Sequence, residues 1–598
     1  MQQPSTPDTK NLLLAIVLSI VIIYGWQFLY GTPKTAPQPQ QQTSQTTAQP
    51  GAPAAGQATA VVPGTEVAKL ASRAEALAAS PRLAIDTPLL SGSINLMGAQ
   101  LDDLHLKNFH ETVDPASPII TLLSPSGTAN AWFIEQGMVA PQGVSLNLPN
   151  SRTLWQAPAG ATLGLNQPVT LTWDNGQGLV FARTISVGED YLFTITQTVR
   201  NNSAQPVALI PYARTQRQDT PKTAGYYVFF EGMLGVQDGE LTELTYKDIN
   251  KKTEPQRVAA TGGWLGFTDK YWATALIPDP KAQNNATYQH LNQQGRDVYQ
   301  ADYIATVPLT VAPGAEVSYQ DMVYAGAKEV NTLAAVGDAH GLDKFDLMID
   351  WGWFWFLTKP MYRLLHLVKQ LVGNFGVAIL IVTVLVKLAV FPLANKSYAS
   401  MSKMKKLQPE MNRLKELYPE DKMKQQQEMM EIYKREKVSP LSGCLPIFIQ
   451  IPVFFALYKV ILTSIDLRHA PFFGWIRDLS APDPTSVFNL FGLIPWTPPT
   501  MLMIGIWPLL MGITMWVQMR LNPTPPDPVQ ASLFNWMPVI FTFTLGAFPA
   551  GLVIYWAWSN LLSILQQSYI MKKHGTEVDI LGNIRNSIPF MKKKNETS

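Results

Sequence analysis

A lysine inside an otherwise apolar stretch is the most informative chemical feature of this 598-residue chain. Lys387 is the only charged residue between Val377 and Ala394, and that stretch is long enough to cross a bilayer. An ammonium group at that depth costs at least about 2.5 to 3.5 kcal/mol, and such groups usually contact a substrate, a counter-ion or water. The alternative is a lysine whose apolar stem lets it reach the headgroups of a locally thinned bilayer.

The rest of the composition argues against catalysis. The chain has a single cysteine, Cys444, and seven histidines without the clustered spacing of a metal site. It contains no P-loop, no Rossmann glycine pattern and no nucleophile elbow. We therefore expect a protein that is not an enzyme and that requires no cofactor and no metal.

The N-terminal region predicts an anchor and a tether. Asn11 to Tyr30 is an apolar run with aromatic residues near its end, which indicates a transmembrane anchor over residues 1–31. A cleaved signal peptide is the alternative, although the sequence around Ala36 is a poor cleavage site. The Gln, Thr, Pro and Ala that follow cannot bury enough apolar surface to fold, so we expect a disordered linker over residues 32–79.

Residues 80–345 predict a large antiparallel β-sandwich. Alternating segments that begin at Val169, Leu179 and Tyr191 are separated by turn residues, a pattern typical of antiparallel hairpins. Further candidate strands are YYVFF from Tyr226, WATALIP from Trp272 and VSYQDMVYAG from Val317. We find no combination of catalytic residues in this region and expect its charged groups to be solvated or structural.

Residues 346–373 predict an amphipathic helix that lies on the membrane surface. Its N-terminal end contains Trp351, Trp353 and Trp355, and polar residues occupy the face opposite the apolar one. Packing against the sandwich would give the same periodicity and is the alternative. The apolar face consists of Leu357, Met361, Leu364, Leu365, Val368, Leu371 and Val372.

Basic residues determine the predicted topology. Residues 396–440 carry eleven Lys and Arg against seven Asp and Glu, which places them in the cytoplasm. The sandwich then lies outside, in the periplasm of a cell with two membranes. Further spans are predicted at Leu445–Leu462 and Met501–Met519, and Leu533–Ile570 must form two spans, broken near Pro549, for the basic tail to be cytoplasmic. The chain therefore has six predicted spans, five of them in residues 374–571, with both termini in the cytoplasm.

The two cytoplasmic segments offer candidate contact surfaces. Residues 396–440 form a predicted helical hairpin broken at Pro419, and its methionines either contact passing chains or seal the hairpin. The tail, residues 572–598, binds anionic lipid or ribosomal RNA, or only fixes the topology. The residues concerned are Met404, Met411, Met423 and Met430 in the hairpin and Lys572, Lys573, Lys592, Lys593 and Lys594 in the tail.

Taken together, these segments resemble the YidC/Oxa/Alb family of membrane protein insertases, and within it the branch of Gram-negative bacteria. The resemblance covers about 230 residues of the C-terminal half and is weaker in the sandwich, at GGWLGFTDKYWATALIP and YAGAKE. The strongest strings are VGNFGVAILIVTVLVKLAVFPL from Val372, the hairpin and span from Leu407 to Val460, LRHAPFFGWIRDLSAPDP from Leu467 and MPVIFTFTLGAFPAGLVIYWAWSNLLSILQQ from Met537.

The resemblance implies an α-helical polytopic inner-membrane protein that inserts nascent membrane proteins and helps them to fold. Its five C-terminal spans would enclose a hydrophilic groove that is open to the cytoplasm and to lipid. Lys387, Thr383, Gln450 and Trp556 would line it, although Thr383 and Gln450 could also join helices and Trp556 could serve packing. The family usually has arginine where this chain has Lys387, which keeps the charge but loses the planar fork of donors.

The same resemblance implies nascent membrane proteins, the Sec translocon, the ribosome and the signal recognition particle system, and membrane lipids as partners. A transporter or channel is the first alternative, but we find no inverted repeat and only one buried base in the sequence. A glycan-binding or glycan-processing envelope protein led by the sandwich is the second. Neither explains the order of the C-terminal segments as well as an insertase does.

Overall fold

The computed structural model describes residues 62, 70–223, 229–436, 438, 445–496, 498–499, 502–522 and 528–575. The predicted anchor over residues 1–31, most of the predicted linker, Tyr226 and Lys592 to Lys594 lie outside these residues.

The end of the predicted disordered linker is helical, which corrects the boundary at residue 79. Helix α1 (Arg73–Ala78) begins with a capping box between Ser72 and Glu75. The Arg73 guanidinium also donates to the Leu123 carbonyl at 3.1 Å and to the Ser124 hydroxyl at 2.7 Å. A local cap and contacts about 50 residues away in the sequence thus order a segment whose composition alone predicts disorder.

The strands between Arg82 and Ala327 form two sheets. In the first, the order is β13-β16-β17-β10-β5-β3-β2-β1-β6, with β18 beside β10 and β4 beside β3. Its strands are β1 (Arg82–Asp86), β2 (Leu90–Asn95), β3 (Gln100–His110), β4 (Ile119–Leu123), β5 (Trp132–Val139), β6 (Thr162–Leu163), β10 (Val207–Gln218), β13 (Gln256–Thr261), β16 (Gln283–Gln293), β17 (Arg296–Ala305) and β18 (Leu309–Val311).

The second sheet has the order β12-β11-β14-β15-β19-β9-β8-β7 and is antiparallel throughout. Its strands are β7 (Val169–Asp174), β8 (Leu179–Val187), β9 (Leu192–Asn201), β11 (Gly232–Gln237), β12 (Glu240–Thr245), β14 (Trp264–Thr268), β15 (Trp272–Ile277) and β19 (Glu316–Ala327). The two sheets share one apolar core, so the predicted β-sandwich is confirmed.

The turns explain the pairing of the best predicted strands. Between β7 and β8, the Asn175 side chain accepts from the Gln177 and Leu179 amides at 2.7 and 3.0 Å, and Gly176 adopts a left-handed conformation. Along β8, side chains alternate strictly between buried and half-buried. The predicted hairpins over this part of the chain are therefore confirmed.

The rest of the described chain is mainly helical. Short helices lie within or after the sandwich, and longer ones follow from Trp355 onward. The helices are α2 (Tyr246–Ile249), α3 (Val330–His340), α4 (Trp355–Val372), α5 (Phe375–Ala389), α6 (Phe391–Leu417), α7 (Lys422–Arg435), α8 (Leu445–Thr463), α9 (Ile506–Leu521), α10 (Pro528–Leu545) and α11 (Ala550–Lys573).

The apolar stretch from Val377 to Ala394, expected to cross the bilayer, is not one continuous helix. Helix α5 ends at Ala389, and the axis turns by 69° before α6 continues. Pro392 lies in the first turn of α6, where its missing amide cannot continue the hydrogen-bond ladder of α5. Lys387 therefore lies in the last turn of α5, where its positive charge also suits the C-terminal end of the helix dipole.

The apolar face of α4 is covered by other helices in its central part. Met361, Leu365 and Val368 are buried, and α4 contacts α5 and α8. Helix packing therefore accounts for the predicted periodicity, rather than contact with lipid alone or with the sandwich. Leu371 and Val372, at the end of the predicted apolar face, are exposed, as are Leu367 and Trp353.

Several helix ends meet along the segment between residues 471 and 483. The Asn374 amide group at the start of α5 donates to the Pro471 carbonyl at 3.2 Å. The Ala550 amide at the start of α11 donates to the Ala481 carbonyl at 2.7 Å, and the Trp507 amide in α9 donates to Asp483 at 3.0 Å. This segment follows the end of α8, so these four helices share one end of the bundle.

By length and apolar composition, no single helix of the described part of the chain could cross a membrane. The bent pair α5 and α6 meets both requirements when its two helices are taken together.

Candidate functional site

A stripe of polar side chains runs along α11. Tyr555, Ser559, Ser563 and Gln567 recur every four residues and are all buried. Residues four apart lie on one helix face, and the four together extend about 18 Å at 1.5 Å per residue. Since α11 contacts α5, α6, α8 and α9, the stripe faces several neighbouring helices. We call these four residues the polar stripe.

Lys387 contacts the polar stripe through a single hydrogen bond. Its Nζ donates to the Ser563 hydroxyl at 2.6 Å, and that hydroxyl donates onward to the Ser559 carbonyl at 2.9 Å. In the part of the chain that the structure describes, no carboxylate lies within ion-pair distance of Nζ. An ammonium group has three donors, so the remaining N–H groups can bind water or an acidic group.

Gln450 and Trp556 lie near the start of α11, about two turns before Ser563, the partner of Lys387. The Gln450 amide donates to the Tyr555 hydroxyl, which joins α8 to the polar stripe. The Trp556 ring packs edge-on against Phe454 at 4.7 Å between centroids and lies 5.6 Å from Phe541 of α10. Trp556 is therefore in an aromatic cluster beside the stripe.

The far end of the polar stripe carries unsatisfied polar atoms. The Gln567 amide donates to Asn522 at 3.0 Å, but its carbonyl oxygen has no partner among the described residues. The Gln566 amide nitrogen, the Ser568 hydroxyl and the Lys405 ammonium are likewise buried without a partner among the described residues. Buried polar groups nearly always have a partner, so these atoms are positions where water or substrate is expected.

Thr383 is not part of this polar surface in the structure. It is buried, and its hydroxyl donates to the Ile379 carbonyl of its own helix at 2.6 Å. It lies one turn before Lys387, but its donor is already used within α5.

The hairpin methionines divide into two groups. Met411 is buried, and the Tyr433 hydroxyl lies 3.8 Å from its sulfur, so it helps to join α6 to α7. Met404 is half-buried, whereas Met423 and Met430 are exposed. Met411 thus seals the hairpin, whereas contact of Met423 and Met430 with passing chains stays a prediction. At the end of α11, Lys572 and Lys573 are exposed.

The bundle contains a second buried base, which corrects the expectation of only one. Lys459 in α8 is buried and donates to Asp350 at 2.6 Å, which precedes α4. Sequence reasoning missed it because it is near the end of its apolar stretch, where an exposed headgroup contact is the ordinary expectation.

The hydroxyl and amide members of the polar stripe were missed for a different reason. Tyr555, Ser559, Ser563 and Gln567 are uncharged, and each is unremarkable alone. Their four-residue spacing in an otherwise apolar helix is the signal that could have identified them.

Comparison with known proteins gives the family. Residues 82–364 match the family described as "YidC periplasmic domain", and residues 367–577 match "60Kd inner membrane protein". A protein of Bradyrhizobium diazoefficiens named "Membrane protein insertase YidC" is 50% identical, with 97% of this chain and 98% of that protein covered. A protein of the same name from Beijerinckia indica subsp. indica is 51% identical over 98% of this chain and 99% of its own length.

A solved structure described as an active YidC insertase is also similar, with 17% identity and a TM-score of 0.35 over 81% of this chain and 94% of that one. The family matches and the two full-length relatives identify the sandwich as a periplasmic domain and the C-terminal helices as part of an inner-membrane protein. The chain therefore belongs to the YidC family of membrane protein insertases.

Proposed function

We propose that the polar stripe of α11, with Lys387 and Gln450, forms a hydrated groove through which this insertase passes the polar flank of a nascent membrane protein. The observation that carries the proposal is the buried carbonyl oxygen of Gln567, together with the buried polar atoms of its neighbours Gln566 and Ser568, none of which has a partner among the described residues. Hydrocarbon cannot satisfy such atoms, whereas water can. Thr383 and Trp556 border the groove, and Thr383 contributes packing rather than a free hydroxyl.

Lys387 gives the groove its charge. Its ammonium group contacts Ser563 but no described carboxylate. An acidic substrate flank would therefore be attracted to this ammonium group without competition from an acidic residue of the described chain. Burial of the apolar helix of the substrate in lipid then drives its release, and no nucleotide is required.

The proposed topology has six spans, with the N-terminal anchor as the first and α5, α8, α9, α10 and α11 as the other five. The shared end of α5, α8, α9 and α11 supports it, because consecutive spans must alternate in direction. A 15-residue α5 extends about 22 Å, less than a hydrocarbon core of about 30 Å. A locally thinned bilayer over the groove follows from that difference. Both termini and the α6–α7 hairpin are then cytoplasmic.

The cytoplasmic partners follow from the same orientation. The exposed Met423 and Met430 provide an adaptable apolar surface for an emerging chain, delivered by the ribosome or the signal recognition particle system. The exposed Lys572 and Lys573 begin a basic tail that continues to Lys592, Lys593 and Lys594 and suits ribosomal RNA or anionic lipid. The Sec translocon is the proposed partner for substrates with large translocated domains.

Cysteine accessibility tests the groove. In a Cys444→Ser background, single cysteines at 387, 450 and 563 are treated with a membrane-impermeant thiol reagent from either side of the membrane. We expect labelling from the cytoplasmic side because the groove opens there. A cysteine at Val382, which is fully buried among apolar side chains one turn before Val386, is the matched control and should stay unlabelled.

Each variant must also insert a test substrate, which shows that the labelled protein is folded. If none of the three cysteines is labelled from either side, in variants that still insert substrate, the bundle contains no accessible water. That result would contradict the proposed hydrated groove.

A further inference from the structure

The loop between α8 and α9 exposes a dense group of large apolar side chains. Between Asp483 and Arg520 the sequence contains no charged residue. The loop carries six exposed apolar side chains, and Leu493 is 83% exposed. We call the segment Val487–Trp496 the apolar loop; the six are Phe488, Leu490, Phe491, Leu493, Ile494 and Trp496.

Several polar groups of the apolar loop are paired within the loop or with the preceding Ser486. The Phe491 amide donates to the Ser486 carbonyl at 2.8 Å, and the Ile494 amide donates to the Asn489 carbonyl at 3.0 Å. The Asn489 side chain donates to the Trp496 carbonyl at 3.3 Å. A segment with internally paired polar groups can enter an apolar medium at a lower cost than an open loop.

The conformation of the loop places bulky residues where they are normally disfavoured. Leu490 and Phe491 both have left-handed backbone angles, with φ of 49° and 59°. Such angles are costly for large side chains and are usually retained where they serve a contact. Both side chains are exposed, so no interior packing in the described chain compensates for the cost.

The position of the loop identifies what covers it. It leaves from Asp483 and leads to Gly505, whose neighbours Ile506 and Trp507 hydrogen-bond back to Thr485 and Asp483. The loop therefore lies at the end of the bundle that four helices share. Its apolar surface continues into α9, where Leu510 and Ile513 are exposed. The medium that contacts the side of α9 thus reaches the loop.

We propose that the apolar loop is embedded in the periplasmic leaflet of the membrane, where its six side chains contact lipid acyl chains. The absence of charge over the segment fits lipid better than a protein partner, whose interface would have a polar rim. Trp496 suits the boundary between headgroups and acyl chains. The loop thus fixes the depth of the first turn of α9. This inference rests on the proposed orientation of the helices.

A depth measurement tests the proposal in the full-length protein. In the Cys444→Ser background, a cysteine at Leu493 is labelled with an environment-sensitive fluorophore, and the protein is reconstituted into phosphatidylcholine and phosphatidylglycerol vesicles. We expect blue-shifted emission and the strongest quenching by lipids that carry a nitroxide about 5 to 10 Å below the headgroups. The matched control is Val307 of the sandwich, 61% exposed, where emission should be water-like and unquenched.

The outcomes separate this inference from the groove. Water-like emission at both positions, in protein that inserts a substrate into the same vesicles, would contradict the embedding of the apolar loop in lipid. It would leave the proposal of a hydrated groove intact. A blue shift at Leu493 that occurs only in native membranes means a protein partner and also contradicts the embedding of the loop in lipid. A second label at Phe491 provides the same readout if the Leu493 variant fails to fold.

Discussion

At the scale of single residues, the Lys387 ammonium is the group whose charge the proposed groove would use. Its contact with Ser563 orients the side chain toward α11 but leaves donors free. Lysine rather than arginine at this position provides a compact charge without a fork of donors, so the proposed recognition of an acidic flank would depend on charge more than on geometry.

Reversing that charge should affect acidic substrates selectively. We expect Lys387→Glu to reduce insertion of a substrate with an acidic translocated tail about tenfold, or about 1.4 kcal/mol, a value between the limits for unit charges in water and in a partly desolvated site. Lys387→Arg should insert it normally. Protease protection of the tail in inverted vesicles measures this, with a neutral-tail substrate as the control. Equal losses for both substrates would indicate a structural defect instead.

A second residue, Asp321 of β19, joins the two sheets of the sandwich. It accepts from Gln136 of β5 at 2.8 Å and from the Tyr303 hydroxyl of β17 at 2.6 Å. Burial raises its pKa from 3.8 to about 7, although the Tyr303 hydrogen bond and the Arg183 charge oppose that shift. The folded protein therefore holds a proton that the unfolded chain releases.

The sign of this shift predicts how the sandwich responds to pH. The contribution of the protonated Asp321 carboxyl group to the free energy of unfolding is complete below about pH 4. It is lost as the pH rises through about 7. Asp321→Asn should therefore flatten the fall in the free energy of unfolding between these values by up to about 1.4 kcal/mol per pH unit. Pulse proteolysis in urea across this range measures it in the full-length protein. Asp338→Asn, an exposed change in α3, is the control, and an unchanged slope for Asp321→Asn would contradict the assignment.

At the scale of elements, α9 depends on a cap that is distant in sequence. Buried Asp483 accepts from the Trp507 amide at 3.0 Å and from the Trp475 indole at 3.1 Å. Thr485 accepts from the Ile506 amide at 3.1 Å. Together they satisfy amides that the first turn of a helix leaves without an internal partner.

Removal of the cap should loosen the start of α9. We expect Asp483→Ala to cost about 1 to 3 kcal/mol, because it leaves buried donors unsatisfied. Hydrogen exchange at the first turn of α9 should increase, while that of α11 should not. Asp478→Ala is the matched control, since Asp478 forms a local turn with Ser480 but caps no helix. Equal exchange in the two variants would mean that Asp483 is not the cap.

The elements also show what the sequence can and cannot predict. The strands β7, β8 and β9 were predictable because a half-buried antiparallel strand imposes a period of two on its side chains. The break between α5 and α6 was predictable in principle from Pro392, but apolar length alone does not reveal it. The cap at Asp483 was not, because it joins residues 24 apart across a loop without periodicity.

The candidate site was predictable to a similar degree. Lys387 and Gln450 were identified because a polar group in an apolar helix is conspicuous, and both contact the polar stripe. Their partners Ser563 and Tyr555 were not, because the pairing of helices depends on tertiary packing rather than on local pattern. Thr383 was selected by the same rule as Gln450, yet its hydroxyl bonds within its own helix.

At the scale of the whole molecule, the sandwich and the helical bundle are joined by charged contacts. Lys459 of α8 donates to Asp350, which also accepts from the Phe230 and Gly352 amides at 2.7 and 2.9 Å. Arg468 donates to the His110 carbonyl of β3 at 2.5 Å and lies 5.4 Å from the Trp272 ring. The periplasmic domain is therefore held against the end of the bundle that carries the apolar loop.

The contact between Lys459 and Asp350 should show an asymmetric response to mutation. Asp350→Asn removes the ion-pair partner of a buried ammonium group, leaves it only the weaker attraction of Glu243, and should cost about 3 kcal/mol. Lys459→Met should cost about 1 kcal/mol, since Asp350 is partly exposed and keeps its two amide donors. Pulse proteolysis of each variant and of the double variant provides the coupling energy. Lys359→Met removes a more exposed pair with Asp346 and is the control, with a loss below about 1 kcal/mol.

The double variant decides how the two halves are joined. If the ion pair holds the sandwich to α8, adding Lys459→Met to Asp350→Asn should recover part of the lost stability, because the uncompensated charge is gone. The sandwich should still fold in all variants, since neither Lys459 nor Asp350 belongs to a strand of the two sheets. Strictly additive losses would mean that the two residues act separately, and that Arg468 and the packing of α4 on α5 and α8 hold the periplasmic domain in place.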